Sequence, residues 1–133
     1  MKKLIILLVS LFIIVMAGCS NKNKEPIEVT FQIPEKITVN EEITMESLVT
    51  QGEEKLADVD HVQFEIKKSG QKEPVMVNGI YKGNGLYRGN YTFKEEGTYT
   101  VISHVMVRSQ MIMPDKEITV EKAGNTAEEQ QKQ

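Results

Sequence analysis

The stretch TYTVISHVMVR, residues 98–108, decides how the rest of the chain is read. It is rich in β-branched residues, and it alternates. Tyr99, Val101, Val105 and Val107, with Ser103, fall on one side of an extended chain. Thr98, Thr100, Ile102, His104, Met106 and Arg108 fall on the other. A period of two is the mark of a strand with one buried face. The valine side has the composition of a core, so His104 and Met106 are predicted to face solvent together, about 6.5–7 Å apart along the strand.

The same alternation recurs on both flanks. IEVTFQI (27–33) puts Ile27, Val29, Phe31 and Ile33 on one face and stops at Pro34. KITVN (36–40) is a short piece. EITMESLVTQG (42–52) places Ile43, Met45 and Val49 on one side, although residues 41–50 are also compatible with a helix. HVQFEIKKSG (61–70) turns Val62, Phe64 and Ile66 inward and closes on Ser69-Gly70. PVMVNGIYKGNG (74–85) ends in Gly83-Asn84-Gly85, a strong turn signal. LYRGNYTF (86–93), the turn KEEG (94–97) and the closing strand KEITVE (116–121) complete the series.

About seven or eight short strands, with turns about every 8–12 residues, predict an all-β, immunoglobulin-like antiparallel β-sandwich. Helix–strand alternation is absent from the pattern, which argues against a parallel α/β fold. Gly97 followed by Tyr99 at a strand start predicts a tyrosine corner, in which the Tyr hydroxyl ties down the preceding turn.

The first residues carry a different message. MKKLIILLVSLFIIVMAGCS begins with Lys2 and Lys3 and runs apolar from Leu4 to Met16, broken by Ser10. The small pair Ala17-Gly18 then precedes Cys19. This is the layout of a secretory signal, and the apolar run falls short of the roughly 20 residues that span a bilayer. Cys19 is the single Cys of the chain, so an intramolecular disulfide is excluded. Its setting resembles the bacterial lipoprotein signal, in which the thiol receives a diacylglyceryl group and the Cys becomes the mature N-terminus.

The expected organisation is a signal peptide over 1–18 and a lipidated Cys with a flexible tether over 19–26. The sandwich domain follows over 27–121, then a polar disordered tail over 122–133. The expected location is the extracytoplasmic side of the cell membrane, held by lipid. Loss of Lys2 and Lys3 moves the net charge from −3 to −5. A mildly acidic domain without a basic stripe argues against a nucleic-acid partner.

Strand order in such a sandwich adds a prediction about function. The strands at 61–67, 98–107 and 116–121 share a sheet, with the first two antiparallel. His61 then opens its strand beside the end of the 98–107 strand. The segment SQMIMPD (109–115), read as a loop, emerges at that same end. His61, His104, Met106, Met111 and Met113 are thereby expected to cluster at one end of the domain. Thioether sulfur with imidazole nitrogen suits Cu(I), whereas zinc more often draws thiolate, further His or carboxylate. The plainer reading is that Met111 and Met113 only plug the mouth of the core, since Met fills irregular gaps well.

At this point the residues resemble a known family. HVQFEIKKSG, GNGLYRGNYTFKEEGTYTVISHVMVRSQMIMPDKEITV and the upstream VTFQIPEKITVNEEITMESLVTQGEEKLADVD are similar to the YtkA-like (FixH-related) extracytoplasmic domain. In that family a His, a strand end with Arg and a Met-His-x-Met-Pro run precede the last strand. His104, Arg108, Met113 and Pro114 match it, while Gln110 and Met111 stand where Met and His are expected. The resemblance implies an immunoglobulin-like sandwich and a role in copper handling near respiratory oxidase assembly. The partner would then be an oxidase or a copper-transfer protein of the membrane. The departure at Met111 leaves a set rich in sulfur and poor in nitrogen, which favours Cu(I) over Cu(II).

Two other classes compete. A module without metal would dock on a membrane or envelope complex through Met111, Ile112 and Met113. An enzyme is not expected: there is no nucleophile elbow or His-Glu zinc helix. Ser103 and His104 are consecutive in a strand and so point to opposite faces.

Overall fold

The structure, a computed structural model, describes residues 25–124. Cys19, the signal segment and most of the tether and tail lie outside the described residues. Among the described residues there is no helix, and so none long and apolar enough to cross a membrane.

Among the described residues eleven strand segments form the fold. They are β1 (Ile27–Gln32), β2 (Lys36–Thr38), β3 (Glu42–Gln51), β4 (Glu54–Lys55), β5 (His61–Lys68) and β6 (Val75–Asn78). The remainder are β7 (Ile80–Tyr81), β8 (Leu86–Thr92), β9 (Gly97–Val107), β10 (Gln110–Ile112) and β11 (Asp115–Glu121). Seven of them have four residues or more, and the surplus over the expected number is short edge pieces. One sheet runs β1-β3-β8-β7 with β4 on β3. The other runs β2-β11-β9-β5-β6 with β10 on β9. The result is an all-β, immunoglobulin-like sandwich.

Residues 42–51 are strand, not helix. Ile43, Met45, Ser47 and Val49 are buried in alternation, because β3 is paired on both sides, with β1 and with β8. Tertiary pairing overrides local propensity there. The tyrosine corner is present: the Tyr99 hydroxyl donates to the Glu95 carbonyl at 2.8 Å.

The core lies between the sheets. Phe64 of β5 is fully buried and stacks on Phe31 of β1, with ring centroids 5.8 Å apart. Phe93 makes an edge contact with Tyr99 at 4.8 Å. At the centre one polar contact crosses between the sheets. Ser47 of β3 and Ser103 of β9 are both fully buried, their hydroxyl oxygens 2.6 Å apart. Ser47→Ala is therefore expected to cost about 1–3 kcal/mol, because it leaves the Ser103 hydroxyl unpaired in an apolar interior. The double change with Ser103→Ala should cost less than the sum of the two single changes, since both polar groups leave together. Urea unfolding of the three variants measures this.

Candidate functional site

The outward face of β9 is where the sequence puts its chemistry. Tyr99, Val101, Ser103, Val105 and Val107 are buried, and His104 and Met106 lie half-buried on the opposite face. β5 runs antiparallel to β9 with His61 opposite Met106 and Gln63 opposite His104. The expected neighbourhood of the 61–67 and 98–107 strands is thus realised, with His61 exposed at the end of the sheet.

The segment expected as a loop is instead the second arm of a hairpin. Val107 pairs with Gln110 across a two-residue turn, Met111 lies opposite Met106, and Ile112 lies opposite Val105. Arg108 and Ser109 have φ of 47° and 66°. Positive φ at both central residues is what a type I′ hairpin turn requires, and it usually recruits Asn-Gly. Beyond Pro114 the ladder resumes in the same register, with Asp115 opposite Ile102. The Ser103 N–H donates to the Pro114 carbonyl at 2.9 Å, which carries the register across the break. Met113 therefore stands level with His104.

These registers define a block. His104 and Met106 on β9 face Met113 and Met111 on the adjoining arm, two residues by two, all on the outward side. Cross-strand neighbours have Cβ atoms about 4.5–5.5 Å apart. Positions two apart along a strand are separated by about 6.5–7 Å. Four flexible or rotatable donors at such corners can converge above the sheet. His61 adjoins the block at Met106. Met111 and Met113 are 45% and 54% exposed, so neither acts as a core plug. Among the described residues no group of three or more His, Cys, Asp or Glu gathers for a metal.

One partner of the block escaped the sequence reading. Glu65 accepts from His104 Nε2 at 2.7 Å, the two side chains being 22% and 21% exposed. A carboxylate can only accept, so Nε2 carries the hydrogen and Nδ1 is the nitrogen left to face a ligand. A carboxylate on the far nitrogen is the usual companion of a metal-binding imidazole. Glu65 shares the outward parity of His61 and Gln63, which was readable. Its diagonal placement beside His104 depends on the β5–β9 register, which was not.

The turn is tied from outside. The Arg108 guanidinium donates from Nη1 to Gln51 Oε1 at 3.0 Å, and from Nη2 and Nε to Asp58 Oδ2 at 2.9 and 3.3 Å. The Arg108 N–H donates to Asp60 Oδ2 at 2.8 Å. The hydrogen bond from Arg108 holds the Asp58 carboxyl below its ordinary range. Stabilisation from this contact is present above the ordinary carboxylate pKa and is lost as pH falls through the lowered value.

The fold and this face define the class: an immunoglobulin-like sandwich that presents a Met-rich sheet end. The chain belongs to the YtkA-like family, whose model matches residues 21–104, more than half of its length. That match contains His61 and His104 and ends before Met106, Met111 and Met113. No curated protein matches the chain. Among solved structures it is similar to a superoxide reductase (neelaredoxin) from Ignicoccus hospitalis, at 17% identity and a TM-score of 0.52. That alignment covers 78% of this chain and 89% of the reductase. It is also similar to the Lin-41 filamin domain, at 15% identity and a TM-score of 0.54, over 73% of this chain and 93% of that domain. At such identities the likeness establishes the fold alone.

Proposed function

We propose that this chain is a lipid-anchored, extracytoplasmic protein that holds Cu(I) as cargo and passes it to a membrane partner. The partner would be an oxidase under assembly or a copper-transfer protein. The observation that carries this reading is the two-by-two block of His104, Met106, Met111 and Met113 on an open sheet face, with Glu65 orienting the His104 ring. One imidazole and three thioethers suit a soft monovalent ion, and they spare a cysteine from oxidative loss outside the cytoplasm. His61 stands beside Met106 as a further donor. The anchor is proposed on Cys19, whose surroundings match a lipoprotein signal.

A Cu(I) competition titration of the full-length chain in detergent tests the proposal. Wild type is expected to take up about one Cu(I). The variant His104→Ala/Met111→Ala/Met113→Ala is expected to bind at least about 100-fold more weakly, equivalent to about 2.7 kcal/mol. Equal affinity for the two proteins would remove the copper reading. A second reading, docking without metal, draws on the exposure of Met111 and Met113. It expects Met113→Ala to weaken partner capture while copper content stays at zero.

A further inference from the structure

β10 is three residues long and its sheet pairing is to β9 alone. A short edge strand of this kind has little of its own to hold it in place. Its turn also adopts a backbone that Arg and Ser rarely take up unaided. Further restraint comes from elsewhere in the fold. Arg108 reaches Gln51 at the end of β3, in the opposite sheet, and Asp58 in the segment that leads to β5. Its backbone N–H is received by Asp60, the residue before His61. The Asp60 N–H in turn donates to the Met106 carbonyl at 2.9 Å. One side chain and one amide thus join the hairpin tip, the approach to His61 and the rim of the other sheet.

We infer that Arg108 is a positioning residue for the donor block. Its guanidinium fixes the angle at which the second arm of the hairpin presents Met111 and Met113, without itself touching a ligand. The planar fork is needed because it serves Gln51 and Asp58 at once, which an ammonium on a flexible stem does not do. The inference rests on the copper reading for its purpose, but its structural content can be tested without metal.

The test compares wild type with Arg108→Asn/Ser109→Gly and with Arg108→Lys, all as full-length chains in detergent. Asn-Gly satisfies positive φ at both turn positions, so that variant keeps the hairpin and loses only the clamp. Amide exchange on the metal-free proteins should be at least about tenfold faster at Met111 to Met113 in both variants, with thermal midpoints close to that of wild type. Cu(I) affinity, by competition with a chromophoric chelator, should fall about tenfold in both. Unchanged exchange in the Asn-Gly variant would overturn the inference, and so would full restoration by Lys. Should wild type bind no Cu(I), the copper reading falls, and the exchange result still decides whether Arg108 positions the hairpin.

Discussion

Phe64→Ala is expected to destabilise the domain by about 3–5 kcal/mol, the range for losing a buried aromatic side chain. For a domain of this size the thermal midpoint should drop by about 15–30 °C. Phe64 is fully buried on β5 and stacks on Phe31 from the facing sheet. Two glycines make room for it. A Cβ on Gly89 would lie 3.0 Å from the Phe64 ring, and one on Gly79 would come within 3.3 Å of it. The ring therefore fills space that the two glycines leave open, and truncation leaves a void between two hydrogen-bonded sheets. Differential scanning calorimetry reads the loss. A drop of less than about 1 kcal/mol would mean that the sheets can collapse onto the gap. β5 also carries His61 and Glu65, so the same variant should lose the outer face as the core loosens.

Glu65→Gln is expected to weaken Cu(I) binding about 10–100-fold while leaving thermal stability nearly unchanged. The carboxylate receives the hydrogen on His104 Nε2 at 2.7 Å and so leaves Nδ1 as the ring nitrogen open to a ligand. A Gln amide can present its NH₂ as readily as its oxygen, which frees the ring to take either tautomer and orientation. Competition titration of wild type and variant at one pH measures the change. Unaltered affinity would show that the imidazole is held by something other than Glu65.

The parts of this architecture that were legible in the sequence were those governed by alternation. The parity of residues 99–107 placed five side chains inward and His104 and Met106 outward, as observed. The assumed order of three strands brought His61 to Met106. What was hidden required contacts distant in sequence. Arg108-Ser109 carries no turn signal of its own, and its backbone is stabilised by Gln51, Asp58 and Asp60. Residues 109–115 consequently read as a loop. Pro114 lacks the N–H that a regular ladder would return to Ser103, but its carbonyl still receives the Ser103 amide and keeps the register. Ser103 was recognisable as a small polar residue on the core face, but its partner Ser47 was not, since nothing local relates β3 to β9. The alternative helix at 41–50 rested on a weak local preference that two neighbouring strands overrule.

The central Ser47–Ser103 contact acts on more than its own energy. Greasy surfaces tolerate sliding, because one set of apolar contacts can be traded for another at little loss. A hydroxyl pair amid hydrocarbon has a single satisfactory alignment. It works like a dowel between two plates, and the lateral offset of the halves is set there. Arg108 spans those same halves, from a turn in one to Gln51 in the other, so its reach is correct only at that offset.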